Sequence, residues 1–85
     1  MKIFFDKKFD KKFVKLRKWE KQKTKEAIKR FRKNPFDPRL RNHTLRGKLL
    51  GLRSISAAFD IRLIFKEKEN YVEVLFLTLG SHEDV

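Results

Sequence analysis

Residues 43–62 read HTLRGKLLGLRSISAAFDIR. Gly47 and Gly51 punctuate the first half, and the second half carries the apolar alternation of a strand. The stretch reads as a short strand over Leu45–Lys48, a turn at Gly51, a strand over Leu52–Ala58, and a tight reversal that ends at Asp60. Working outward to the C-terminus, Ile61–Lys66 is a third strand. Ile61, Leu63 and Phe65 share one face of it, and Arg62 and Ile64 point the other way. Glu67–Asn70 is a polar turn. Val72–Leu79, apolar on both faces, is a fourth and central strand. Short turns join these four, so their pairing should be antiparallel.

Working outward to the N-terminus, Pro35–Leu40 holds the chain's two prolines and reads as an ordered connector. Before it, Ala27, Ile28 and Phe31 mark the buried stripe of a helix over Glu20–Lys33. Asn34-Pro35 stops that helix, because proline disfavours helical backbone in the residue before it. Phe9, Phe13 and Leu16 mark an earlier helix over Lys7–Lys18, with Asp6 as its N-cap and Trp19 near the break. Residues 1–5, MKIFF, form a short strand. The expectation is a single α+β domain over residues 1–85. An N-terminal strand and two helices precede a four-strand antiparallel meander, and the helices pack on one face of a twisted sheet.

The 85 residues carry a net charge of +12 and no cysteine. The charge is lopsided: residues 1–42 hold 17 Lys/Arg against five acids, whereas residues 43–85 hold six of each sign. That asymmetry points to a polyanionic partner, nucleic acid or an acidic protein segment, against the blander reading of lysine-rich helices that are merely soluble. Without cysteine there is no disulfide, thiol nucleophile or thiolate zinc site, which suits a reducing, cytoplasmic setting. The longest apolar run, Val74–Leu77, is too short to span a bilayer, so no membrane partner is expected. The N-terminus turns charged after five residues, unlike a signal peptide.

Histidine is the side chain whose charge changes near neutral pH, and this chain has two, His43 and His82. Taken singly, each is more often a surface loop residue. Taken together with Asp60 and Arg62 they match one chemistry. Attack of an RNA 2′-hydroxyl on its phosphate needs a base, an acid for the departing 5′-oxygen, and cations for the transition state. Asp60 is equally explained by turn geometry. Arg62, two residues on and among apolar neighbours, needs either Asp60 or a bound phosphate as partner. Arg53, in the neighbouring strand, could join them. Arg46 and Lys48 flank Gly47, where a backbone without a side chain lets a ligand approach; a solvated hairpin explains them as well. Ser54 and Ser56 lack the strained turn of a hydrolase nucleophile. There is no P-loop, no dinucleotide fingerprint and no carboxylate cluster with metal-ligand spacing, so no metal and no cofactor are expected. The nine phenylalanines fall mostly at core spacing and do not read as base-stacking platforms.

The run NPFDPRLRNHTLRGKLLGLRSISAAFDIRLIF, followed by LFLTLGSHEDV, resembles the RelE/ParE toxin superfamily, and within it the YafQ-like, RelE/StbE-type messenger-RNA interferases. The shared features are a His-x-Leu-x-Gly hairpin, a Gly-x-Arg strand, an Asp leading the next strand, and a final Gly-Ser/Thr-His. The resemblance implies a type II toxin that is a metal-independent, ribosome-dependent endoribonuclease, monomeric when free. It also implies a cognate antitoxin, whose acidic amphipathic segment would cover the toxin. By position it implies catalytic roles for His43, Asp60, Arg62 and His82 and sets Arg53 at the Gly-x-Arg arginine; Arg46, Lys48, Arg53 and Ser56 are expected to contact RNA. YafQ-like members carry a histidine where this chain has Ser56, and commonly an aromatic residue just beyond the position of Val85. Two alternatives stand beside this reading. One is a gyrase inhibitor of the ParE type, which shares the fold but lacks the histidines. The other is a catalytically weakened RNA-binding relative.

Overall fold

The computed structural model describes residues 1–81. Strand β1 (Lys2–Phe5) leads into helices α1 (Lys7–Val14) and α2 (Lys18–Lys33). Strands β2 (His43–Thr44), β3 (Arg53–Ala58), β4 (Ile61–Lys68) and β5 (Glu73–Gly80) follow. They form one sheet in the order β1-β5-β4-β3-β2. The last four strands pair antiparallel, as their short turns require. β1 lies parallel beside β5: the helices carry the chain from β1 to β2 at the far edge of the sheet, and the meander returns to β5 beside β1. The α+β class and the antiparallel meander expected from the sequence are both present.

Both helices lie on one face, α1 against β5 and α2 against β3. Their buried residues Phe9, Ala27 and Phe31 join Ile55, Leu63, Phe65, Val74, Phe76 and Leu79 in one core. Phe31 is its centre: its ring meets those of Phe65 and Phe76 edge-on at 5.0 and 5.4 Å. On β5 the inward positions run Val74, Phe76 and then Leu79, which breaks strict alternation. The cause is a register shift opposite Ile64 and Phe65, where Thr78 and then Phe76 are the partners and Leu77 is the extra residue. Such a bulge moves the inward phase by one.

Two local expectations are corrected. The first helix ends at Val14 rather than Lys18, and α2 begins at Lys18 because the Glu20 carboxylate accepts the Arg17 N–H at 2.8 Å. Trp19 therefore belongs to the first turn of α2. The strand expected over Leu45–Lys48 is instead His43–Thr44, followed by a 3-10 turn over Gly47–Leu49. Gly47 and Gly51 take φ of +66° and +92°, and the Leu45 N–H donates to the Leu52 carbonyl at 3.0 Å. The hairpin closes before Leu45–Lys48 can pair. The connector is ordered, as expected, with a 3-10 turn over Pro38–Leu40 that buries Leu40.

The β4–β5 turn places Glu69, Asn70 and Tyr71 all at positive φ, which costs an L-residue energy. Tyr71 holds it there: its N–H donates to Glu67 at 2.8 Å and its ring packs against Phe31, Phe36 and Phe65. Among the described residues no helix is long and apolar enough to cross a membrane.

Candidate active site

The site begins at the β3–β4 turn. Ser56 pairs with Arg62, and the next pairing, Ala58 with Ile61, is out of step by one residue. Bulges of this kind re-aim side chains beside functional sites. Ile61 and Leu63 sit in the core, so alternation sends Arg62 to the sheet face away from the helices. Its cross-strand neighbours on that face are Ser56 and Gly80, both small, which leaves the guanidinium room. One of its N–H groups reaches the Phe59 carbonyl only at 3.4 Å, a long and weak bond.

Ser56, Asp60 and Arg62 line one concavity of about 520 Å³, together with Arg30, Arg39 and Arg41. Four arginines thus line it, where the sequence pointed to Arg62 and, in the neighbouring strand, Arg53. Arg39 and Arg41 are set by the connector: Leu40 between them is buried, so its two neighbours are turned outward. An Arg-Leu-Arg triplet in a proline-stiffened connector was the signal that could have found them. Asp37 anchors Arg39 through two contacts at 3.1 and 2.8 Å. The side-chain bond from Arg39, helped by the Arg39 backbone N–H, pulls the Asp37 carboxyl down from its ordinary 3.8 to about 2. Whatever stability this pair adds is therefore present above pH 3.8 and lost as pH falls toward 2. In Arg39→Ala, the Asp37 titration midpoint followed by carboxyl NMR should move back up toward 3.8.

His43 is exposed on β2, at the sheet edge. It pairs with Ser54, two residues from Ser56, so it shares the outer face with Arg62. It flanks the concavity rather than lining it. Arg41 joins the two: its side chain lines the concavity, and its backbone carbonyl accepts the His43 Nδ1–H at 2.7 Å. A carbonyl can only accept, so Nδ1 carries a proton and Nε2 is the nitrogen able to exchange one. Arg41 takes φ +51° to aim that carbonyl.

Asn42, between them, was not singled out from the sequence. Its Oδ1 accepts the Arg53 Nε–H at 2.8 Å, and its Nδ2 donates to the Pro35 carbonyl and to the Tyr71 hydroxyl, each at 3.0 Å. One amide thus ties the connector, β3 and the β4–β5 turn at the residue before His43. Asn42→Ala should cost about 2 kcal/mol in urea unfolding, because it leaves half-buried donors and acceptors unmet.

The other predicted residues separate. Arg53 pairs with Thr44 and Phe65 and so faces the helix side; its guanidinium serves Asn42 and lies 5.7 Å from the Phe36 ring centre. It is outside the concavity. Arg46 and Lys48 are exposed on the hairpin, away from it. His82 lies outside the described residues. Among the described residues no group of three or more His, Asp or Glu is placed to hold a metal ion.

A family model described as the bacterial toxin of a type II toxin-antitoxin system, YafQ, matches residues 1–85. Among solved structures the chain is similar to YafQ from E. coli strain BL21(DE3), with 23% identity and a TM-score of 0.76 over 96% of this chain and 93% of that one. It is similar to a conserved hypothetical protein from Helicobacter pylori, with 30% identity and a TM-score of 0.67 over 98% and 96%. It is also similar to a chain of the E. coli DinJ-YafQ toxin-antitoxin complex, with 23% identity and a TM-score of 0.75 over 98% and 93%. No curated protein matches the chain.

Proposed function

The chain belongs to the YafQ family of bacterial type II toxins, and from that premise we propose that it is a ribosome-dependent endoribonuclease that cuts messenger RNA through its own 2′-hydroxyl. One observation carries the reading. Four arginines, Asp60 and Ser56 line one concavity, and His43, bonded through Nδ1 to the Arg41 carbonyl, flanks it.

In this reading the scissile phosphate sits among Arg62, Arg41 and Arg39. Their N–H groups meet the charge that builds on the non-bridging oxygens as the phosphorus becomes five-coordinate. His43 Nε2 takes the proton from the 2′-hydroxyl. The 2′-oxygen bonds to phosphorus, and the bond from phosphorus to the 5′-oxygen breaks. His82, assigned on sequence grounds, returns a proton to that 5′-oxygen. The products are a 2′,3′-cyclic phosphate and a 5′-hydroxyl. Asp60 orients the groups around it. Arg46 and Lys48 contact messenger or ribosomal phosphates beyond the cut, and Arg53 supports the site through Asn42. Activity should therefore fall steeply with salt.

Free toxin is monomeric in this account and works in the cytoplasm, where translating ribosomes are. DinJ-YafQ is a toxin-antitoxin complex. By the same logic this chain has a cognate antitoxin, whose acidic amphipathic segment would cover the arginines.

Ser56 favours a second, weaker form of the reading, in which RNA is bound well and cut slowly. A serine can hydrogen-bond a phosphate oxygen but cannot exchange a proton near neutral pH as histidine does. Ser56→His should then raise the cleavage rate on translating ribosomes by about tenfold or more. An unchanged rate would mean Ser56 has no part in the chemistry. The proposal as a whole is tested by primer-extension mapping of messenger ends after brief induction. New cuts within coding sequence support it; gyrase inhibition without cuts refutes it.

A further inference from the structure

Phe59 is the most exposed of the phenylalanines. At the tip of the β3–β4 turn it is 98% exposed. Nothing in the turn geometry asks for an aromatic there, since a small polar residue would serve. Phe59 is also part of the arginine-lined concavity. A neighbouring concavity of about 600 Å³ is lined by Trp19, Lys12 and Lys15, and the two share Asp60. Trp19 is itself 54% exposed. Two open aromatic rings thus line two concavities that meet at Asp60, each with cations in the same lining.

We propose that Phe59 and Trp19 are stacking platforms for unpaired bases flanking the cut, so that single-stranded RNA runs from the arginine concavity past Asp60 to Lys12 and Lys15. The inference rests on the RNA-cutting reading of the first concavity and adds a second subsite to it. The chemistry favours this occupant. Single-stranded nucleic acid is held by a cationic track that follows the phosphates and by aromatic faces that take the bases. A duplex would not fit, because its bases are already stacked on one another. Two acids line the second concavity, Asp60 and Glu20. The Glu20 carboxylate is engaged by the Arg17 N–H at 2.8 Å. Stacking tolerates any base, so this subsite would add affinity without sequence preference.

The test uses the full chain and a short single-stranded 2′-O-methyl RNA, whose blocked nucleophile prevents cutting. Trp19 is the only tryptophan, so its fluorescence reports the second subsite directly. Binding should quench it, and an abasic oligomer of equal length should bind without quenching. Phe59→Ala and Trp19→Ala should each weaken binding of the 2′-O-methyl RNA by about tenfold, measured by anisotropy of a labelled strand. Neither should change binding of the abasic oligomer, and Phe59→Tyr should restore the affinity. Both side chains are exposed, so thermal melts should match the wild type. Equal RNA binding by wild type, Phe59→Ala and Trp19→Ala overturns the proposal. So does equal RNA binding with loss of an acidic antitoxin segment, which would assign the rings to a protein partner. If messenger is still cut while the aromatic variants bind normally, only the second subsite falls. If wild-type protein neither binds nor cuts RNA, the nuclease reading falls with it.

Discussion

Replacing Arg62 by alanine should lower messenger cleavage by about 10²–10³-fold, the usual cost of removing one preorganised group that meets transition-state charge. Arg62 is the arginine best placed for that role. It lies on the outer sheet face between Ser56 and Gly80, on a strand whose neighbours Ile61 and Leu63 are locked in the core. The backbone beneath it is therefore rigid, and its small neighbours leave its fork open toward the concavity. Its bond to the Phe59 carbonyl, at 3.4 Å, is too long to matter to the fold. Urea unfolding of Arg62→Ala should match the wild type within about 0.5 kcal/mol, as for most partly exposed sites. Arg62→Lys should recover only part of the activity, because an ammonium keeps the charge but not the two-pronged geometry. Primer extension at a mapped cut, with each variant induced to equal level, gives the comparison. Full cleavage by Arg62→Ala would remove this residue from the chemistry.

The largest stability effect should come from the other side of the sheet. Phe31→Ala removes a fully buried ring that meets Phe65, Phe76 and Tyr71 at 5.0, 5.4 and 5.9 Å. Such a truncation costs about 3–5 kcal/mol. A chain of this length has a total stability of roughly 4–13 kcal/mol. The variant should therefore be partly unfolded at physiological temperature, with its urea midpoint lowered by about half. Phe59→Ala, which removes the same ring from an exposed turn, should barely move the midpoint. The pair separates what phenylalanine does in the core from what it does on the surface. An equal loss in both would mean the turn is packed in a way its exposure denies.

The strands were the most legible part of the chain. In β4 the alternation of Ile61, Leu63 and Phe65 with Arg62 fixed both the strand and the face of the arginine. The same alternation applies to Arg53. Ile55 faces the core, so Arg53, two residues earlier, must face the helices too. The β5 bulge was hidden, because a strand apolar on both faces has no alternation to interrupt. The hairpin was misplaced because pairing at His43–Thr44 is decided by where Gly47 and Gly51 turn the backbone, not by the apolarity of Leu45–Lys48.

The site was legible only where its residues are neighbours in sequence. Asp60 and Arg62 are close in sequence and share a concavity. Arg30, Arg39 and Arg41 reach it from α2 and the connector, which periodicity within one element cannot foresee. Asn42 looked like any loop amide. Its importance lies in three bonds to partners 7, 11 and 29 residues away. Phe59 looked like one more core phenylalanine, because a tight reversal hides whether its apolar residue turns in or out.

In the proposed cut the nucleophile is the messenger's own 2′-hydroxyl. The direct measurement places a single 2′-deoxynucleotide on the 5′ side of a mapped cut and presents that messenger to the protein on translating ribosomes. Cutting should vanish at that position and persist at unmodified ones, with a cyclic phosphate and a 5′-hydroxyl at the surviving ends. A cut of undiminished rate beside the deoxynucleotide would contradict the mechanism.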